Sequence, residues 1–333
     1  MKNKRCESKS KINRIICVVV WTVLLLTSCT MPKTDAQNGT NATEGANSQE
    51  FTDGTFDSNE EKNTENNVGL NTDADFESDF NSDTEIDTEV MTTLPKAGER
   101  SIANLLITAL QPVGNTMYIW GGGWNEEDTA AGVEAVTIGV SPRWAEFAKQ
   151  QNDAYDYNTT RYQIHDGLDC SGYIGWSIYN VMETENGKTG HVMKATDMAK
   201  NFAERGWGDY TEVGSVTKWK AGDIMSMKGH VWMVIGTCDD GSVVFMHASP
   251  PGVAIAGTVL PDGSHSEAVS LAEKYMSTYY PEWYERYPDC SKGHSYLSTS
   301  ASMSWNEETL SDDEGLCEMS AEEVLKWMFE NVD

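Results

Sequence analysis

The sequence is poor in basic side chains. Its 333 residues include 24 Lys and Arg against 52 Asp and Glu, which gives a formal net charge of −28. A surface that binds nucleic acid needs clustered Lys and Arg to neutralise phosphates. This charge balance therefore argues against DNA or RNA as a partner.

The chain also lacks an apolar run long enough to cross a bilayer, which needs roughly 20 residues. The apolar run at 15–26 is shorter, follows several Lys and Arg, and ends in "LTSC", the pattern of a secretory signal peptide. A small residue before cysteine resembles the lipobox of bacterial lipoproteins. We therefore expect residues 1–29 to be a lipoprotein signal and Cys29 to carry the lipid. An ordinary signal peptide with an incidental cysteine is the alternative.

Such a lipid places the protein outside the cell. We expect an exported protein that is anchored to the membrane through Cys29, at the outer face of the cytoplasmic membrane or elsewhere in the cell envelope.

Residues 30–95 have too few apolar side chains to build a core. They contain 16 Asp and Glu but only 2 Lys, among many Asn, Thr, Ser and Gly. Such a segment cannot bury enough surface to offset the entropy lost on folding. The sequence therefore predicts a disordered acidic tether at 30–95 and one folded domain at 96–333, and binding of a basic partner by the tether is the alternative.

Cysteine is scarce outside the signal peptide. Four cysteines remain after Cys29, and they are too scattered to define a disulfide framework, although the last three could form one pair: Cys170, Cys238, Cys290 and Cys317. The regular Cys, His and acidic spacing of a metal site is also missing. We therefore predict neither a metal nor another cofactor.

The segment "GLDCSGYIGWSIYNV" at 167–181 has the pattern of a helix that begins with a cysteine. Small and apolar residues recur from Cys170 to Val181 at the i, i+3, i+4 spacing of one helix face. Asp169 is a favoured N-cap. In the first turn, free backbone N–H groups and the helix dipole favour a thiolate at Cys170. Cys170 is thus a candidate nucleophile, and a buried core cysteine is the alternative.

Two histidines have the context of a base and its orienting partner. The segments 224–227, 230–236 and 241–248 predict an antiparallel meander. With a four-residue second turn, His230 lies directly opposite His247, and cross-strand neighbours have Cβ atoms about 4.5–5.5 Å apart. A nucleophile, a base and an orienting group form a catalytic triad. The other histidines are predicted to be surface or loop residues: His165, His191, His265 and His294.

Four sequence blocks occur together in one order: "YIWGGG" at 118–123, "LDCSG" at 168–172, "GHVWMV" at 229–234 and "MHAS" at 246–249. In this order they resemble the NlpC family of papain-like bacterial cell-wall peptidases. The resemblance implies an α+β, papain-like domain. In it, the cysteine lies at a helix N-terminus that packs on an antiparallel sheet, and this sheet carries the histidines.

The resemblance also implies roles for individual residues. Cys170 would be the nucleophile, His230 the base and then the acid, and His247 the residue that orients His230. The implied substrate-binding residues are Tyr118, Asp169 and Ser171. The implied reaction is cleavage of a peptidoglycan stem peptide, at the bond between the γ-carboxyl of D-glutamate and a diamino acid, without a metal.

Two regions depart from the family pattern, an insertion at 124–167 and a C-terminal extension at 250–333. Both are rich in aromatic residues, which either shape the substrate groove or belong to an enlarged core. In the extension, Ser320 and Glu323 predict the capping box of a final helix. Two other functions stay open: an amidase or cross-bridge endopeptidase of the wall, and a non-catalytic surface lipoprotein that binds its ligand.

Overall fold

A computed structural model describes residues 94–332. The predicted signal peptide, the predicted lipidation site Cys29 and the tether up to residue 93 lie outside the described residues. Between residues 94 and 332, no helix combines the length and the apolar content that a membrane span requires.

The described residues form a mixed α and β structure. The α-helices are α1 (Ile102–Leu110), α2 (Pro142–Lys149), α3 (Cys170–Met182), α4 (Met198–Glu204), α5 (Glu267–Tyr279), α6 (Pro281–Arg286), α7 (Ser295–Ser298) and α8 (Ala321–Asn331). Short 3₁₀ turns occur at Glu134–Val136, Tyr157–Thr159, Ala195–Asp197 and Leu316–Glu318.

The strands join in one curled sheet. They are β1 (Met117–Tyr118), β2 (Gly167–Leu168), β3 (Gly208–Thr211), β4 (Ile224–Met227), β5 (His230–Thr237), β6 (Val243–Ser249), β7 (Gly252–Thr258), β8 (Ser291–Lys292) and β9 (Ala301–Trp305). Their order is β2-β1-β7-β6-β5-β4-β9-β3, and β8 pairs with β7. The β1–β2 and β7–β8 pairs are parallel and the others antiparallel. The architecture is therefore α+β, as the sequence predicts.

The side chains of β5 alternate between two apolar clusters, because successive strand residues point to opposite faces. Val231 and Met233 join the main core, to which α1, α3 and α8 contribute. Trp232 lies on the other face, in a smaller cluster with Phe245 and Leu297. The histidine that begins β5 shares this second face.

The predicted register of the β5–β6 hairpin is wrong. Near His230 and His247, the observed pairing differs from the predicted one by two residues. Met233 pairs with Met246, so His230 does not lie directly opposite His247. The turn at 238–242 is one residue longer than predicted, and a bulge interrupts β5 before the turn. Side chains alternate between the two faces with a period of two residues. A shift of two therefore keeps both histidines on one face of the sheet.

The insertion at 124–167 and the C-terminal extension at 250–333 both contribute side chains to the core. Trp144 of the insertion and Trp283 of the extension are buried. Tyr279 is half exposed and stacks on Phe329 with ring centroids 4.2 Å apart. The last helix, α8, begins with the predicted capping box, which is therefore confirmed. Most aromatic residues of the extension thus support packing.

Candidate active site

Asp169 caps the helix that begins at Cys170, so the predicted N-cap is confirmed. Its Oδ1 atom accepts hydrogen bonds from the Gly172 backbone N–H at 2.7 Å and the Ser171 hydroxyl at 2.8 Å. Burial raises the pKa of Asp169 to about 6, although these hydrogen bonds oppose the rise. The carboxylate thereby fixes the helix start beside the cysteine.

The glycine-rich loop of "YIWGGG" packs directly against this helix start. The Asp169 backbone N–H donates to the Gly122 carbonyl oxygen at 2.9 Å. A Cβ atom on Gly172 would overlap the same oxygen. The two motifs therefore need glycine at this contact, since only a residue without a side chain allows the backbones to approach so closely.

A cleft of about 560 Å³ opens over the start of α3. It brings Cys170 together with the three predicted substrate-binding residues, Tyr118, Asp169 and Ser171. Burial raises the pKa of Tyr118 well above its ordinary value, and negative charge on Cys170 and Asp169 acts in the same direction. The phenol therefore stays protonated and can donate a hydrogen bond into the cleft.

The insertion builds part of this cleft. Nε1 of Trp124 donates to the Ser171 hydroxyl at 2.9 Å. The ring of Tyr157 contacts Tyr118 edge to face, with centroids 5.5 Å apart, and the Tyr155 hydroxyl donates to the Tyr118 carbonyl at 2.7 Å. The sequence left the role of these aromatic residues open, and nothing in their spacing indicates which of them reach the site.

His230 and His247 form a hydrogen-bonded pair. Nε2 of His230 lies 3.1 Å from Nδ1 of His247, and the ring centroids are 5.3 Å apart. The contact is diagonal across β5 and β6, which explains how it survives the shift in register. Within residues 94–332, Nδ1 of His230 has no hydrogen-bond partner, so this atom is the one that can accept a proton from a nucleophile.

Both imidazoles are neutral at neutral pH. Burial, with a smaller contribution from the positive charge of Lys292, lowers the pKa of His230 to about 4. The pKa of His247 lies well below its usual value because of burial, with smaller contributions from His230 and Lys292. A neutral imidazole can act as a base, since it still has a free lone pair.

The thiol of Cys170 is buried, with 6% of the residue exposed. Burial raises its pKa to about 12, and the Asp169 carboxylate adds to the rise, whereas the backbone N–H groups of Ser171 and Val231 lower the pKa. Desolvation therefore opposes the thiolate that the helix start favours. Val231 directly follows His230, so the thiol lies where β5 begins.

Two residues of the C-terminal extension reach the histidine pair, and sequence reasoning missed both. Lys292 on β8 acts on the pair through its charge. Tyr296 on α7 contacts the His230 ring with centroids 5.6 Å apart. The segment around them, "SKGHSYLS", has no pattern that indicates an active site.

The remaining histidines lie in loops or at element ends, but one of them is not at the surface. His191 is buried, its Nδ1 atom lies 3.0 Å from a guanidinium nitrogen of Arg205, and its ring packs on Trp207. Burial lowers the pKa of His191 to about 4. His191 therefore lies in a loop, which is one of the two predicted alternatives, but it is buried because its polar neighbours in sequence do not surround it in the fold.

The four cysteines of the described chain are free, so no pair forms among the last three. Cys238, Asp240 and Glu267 place possible ligand atoms within 4.8 Å of one another. Their carboxylates already have partners: Asp240 accepts the backbone N–H of Glu267 at 2.7 Å, and Glu267 accepts that of Asp239 at 3.1 Å. These bonds tie the β5–β6 turn to the start of α5.

No family model, no curated protein and no solved structure matches this chain. The four sequence blocks and the arrangement of residues in the cleft are therefore the features that point to a function.

Proposed function

We propose that the protein is a papain-like cysteine peptidase of the bacterial cell wall, which cleaves an amide bond in peptidoglycan stem peptides. One observation carries the proposal. A cysteine at a capped helix start lines a cleft, and the strand beside it begins with a histidine that is hydrogen-bonded to a second histidine. This is the set of groups that nucleophilic acyl transfer requires.

In the first half of the reaction, the sulfur of Cys170 attacks the amide carbonyl carbon while Nδ1 of His230 takes the thiol proton. Proton transfer accompanies attack, since both groups are neutral at rest. The Cys170 backbone N–H and the Tyr118 hydroxyl donate to the oxyanion. His230 then returns the proton to the amine nitrogen as the carbon–nitrogen bond breaks.

In the second half, water attacks the thioester carbon and His230 takes a proton from the water. The carbon–sulfur bond breaks, the acid product leaves and the proton returns to the Cys170 sulfur. His247 holds the His230 ring through its hydrogen bond in both halves, as the orienting member of the triad.

The polar residues of the cleft suit a stem peptide with a free amino end. Asp169 and Ser171 offer oxygen atoms beside Cys170, and a carboxylate can accept several hydrogen bonds at once. The bond we propose joins the γ-carboxyl of D-glutamate to a diamino acid. A lipid on Cys29 would hold the enzyme near its substrate in the cell envelope.

The test is mass spectrometry of defined muropeptides after incubation with the purified protein. We expect two fragments that identify a γ-D-glutamyl bond, and we expect Cys170→Ala to form neither. Cys238→Ala is the matched control, because this buried, free cysteine lies outside the cleft.

Other outcomes would replace the proposal. Fragments from a cross-bridge or from the sugar–peptide bond would make the protein an endopeptidase of the cross-bridge or an amidase. Binding without cleavage, over several stem-peptide types, would make it a non-catalytic lipoprotein that binds the wall.

A further inference from the structure

Tyr296 covers the histidine pair from the side of the C-terminal extension. Its ring centroid lies 5.6 Å from that of His230 and 6.3 Å from that of His247, and both contacts are edge to face. The residue belongs to α7, outside the segment 118–249 that carries the four sequence blocks.

The smaller apolar cluster holds this ring in place. The Tyr296 centroid lies 5.4 Å from Phe245 and 5.9 Å from Trp232, both of which are fully buried. Leu297, the next residue on α7, is buried in the same cluster. Aromatic contacts at these distances stabilise one ring orientation, so the orientation of the Tyr296 ring toward His230 is fixed.

Tyr296 also lies near the nucleophile. Burial raises its pKa to about 12, and negative charge at Cys170 contributes to the rise. Its hydroxyl makes no hydrogen bond to any residue between 94 and 332. The ring, and not the hydroxyl, therefore makes the contacts with the histidine pair.

We propose that Tyr296 is a positioning residue of the active site, whose ring keeps water away from the His230–His247 pair and fixes the plane of the His230 ring. The consequence for catalysis depends on the proposed peptidase function, whereas the contact itself does not. The titratable groups that contact His230 or act on it by charge are His247 on β6, Lys292 on β8 and Tyr296 itself, and Cys170 on α3 lies beside the next residue, Val231. Lys292 acts by charge, whereas Tyr296 contacts the His230 ring directly.

The first test is an NMR titration of His230, which does not require activity. Burial holds the pKa of His230 at about 4, and we expect Tyr296→Phe to leave it there. We expect Tyr296→Ala to raise it toward the ordinary value of 6.5, since water then reaches the imidazole. Leu297→Ala is the matched control, because it weakens the same cluster without uncovering His230.

An unchanged pKa in Tyr296→Ala would overturn the proposal, and so would an equal rise in Leu297→Ala or in Tyr296→Phe. The first result would mean that the ring does not shield His230. An equal rise in Leu297→Ala would mean that the pKa responds to weaker packing of the whole cluster. An equal rise in Tyr296→Phe would assign the effect to the hydroxyl.

The second test measures muropeptide cleavage. We expect Tyr296→Ala to lower kcat about tenfold with little change in KM, because misorientation of a base slows the chemical step, and to move the acid limb of the pH profile upward. Tyr296→Phe should behave like the unmodified protein. Unchanged kcat and pH profile in Tyr296→Ala would contradict a positioning role. If the unmodified protein cleaves no muropeptide, the proposed function fails, while the titration still decides the role of Tyr296.

Discussion

The cysteine side of the candidate site, at Asp169, Cys170 and Ser171, is held by hydrogen bonds. The histidine side, at His230 and His247, is held by packing against aromatic rings. On the cysteine side, a chain of bonds runs from Trp124 through Ser171 to Asp169 at the helix start. On the histidine side, one hydrogen bond joins two rings that aromatic neighbours cover. Hydrogen bonds hold the helix start so that Cys170 lines the cleft, and burial lowers the pKa of His230.

The two sides also respond to pH in opposite directions. The folded protein raises the pKa of Asp169 from 3.8 to about 6, so its contribution to stability is full below about pH 4 and is lost as pH rises to 6. The folded protein lowers the pKa of His230 from 6.5 to about 4, so its contribution is present above pH 6.5 and is lost as pH falls to 4. Acidification therefore increases the contribution of Asp169 to stability and decreases that of His230.

The largest expected effect comes from the histidine side. His230→Ala removes the proposed base, and we expect muropeptide cleavage to slow by about 10²- to 10⁴-fold, the usual contribution of general acid–base catalysis. The measurement is kcat at neutral pH. His165→Ala, at an exposed loop histidine, should retain full activity. Equal losses in both variants would mean that His230 has no specific role in cleavage.

Asp169→Ala removes the side chain that caps the helix at Cys170, so this variant should destabilise the cysteine side. We expect the free energy of unfolding to fall by about 0.5–2 kcal/mol, the ordinary effect of losing an N-cap. Urea titrations between pH 4 and 6 measure it, and the stability that the protein loses as pH rises through this range should be smaller in the variant.

Ser101→Ala provides the control for that experiment, because Ser101 caps α1 in the same way but carries no charge. It should lower stability equally at every pH. A pH dependence in Asp169→Ala that matches the one in Ser101→Ala would show that the charge of Asp169 has no influence on stability.

Trp124→Phe should produce a smaller effect, since it deletes one hydrogen bond and keeps an aromatic ring in the cleft. Loss of the bond to Ser171 corresponds to about 1 kcal/mol, and we expect KM to rise several-fold while kcat stays nearly constant. In a double-mutant cycle with Ser171→Ala, the two effects should overlap. Strict additivity would mean that the hydrogen bond does not couple the insertion to the cysteine side.

The smallest expected effect belongs to Lys292→Met. Removal of this positive charge should raise the pKa of His230, because a nearby cation disfavours the imidazolium. The acid limb of the kcat/KM profile should therefore move upward by less than about one pH unit. Lys274→Met, at an exposed position on α5, should leave the profile unchanged. A downward shift in Lys292→Met would contradict the electrostatic account of the histidine side.

The features that the sequence predicts well are local. The N-cap Asp169, the helix from Cys170 and the capping box of α8 each depend on residues within one turn of each other. The side of the sheet that carries His230 and His247 also follows from strand alternation. These choices are decided by nearby atoms, so a short pattern contains enough information.

The features that the sequence does not predict depend on distant parts of the chain. The β5–β6 register is set by a bulge and a longer turn, and a pattern of alternating residues does not reveal either. Tyr296 reaches His230 only because α7 packs on the far face of the sheet. The protonation state of Cys170 is another example, since the helix start favours a thiolate and only the tertiary structure shows how completely the thiol is buried.

In the proposed reaction, Cys170 is a nucleophile that forms a thioester with a wall peptide. Rapid acid quenching of the protein during muropeptide turnover, followed by intact-protein mass spectrometry, tests it most directly. We expect a transient mass increase equal to the acyl fragment, mapped to Cys170 and absent in Cys170→Ala. Product formation by Cys170→Ala, with no adduct at any time in the unmodified protein, would contradict it.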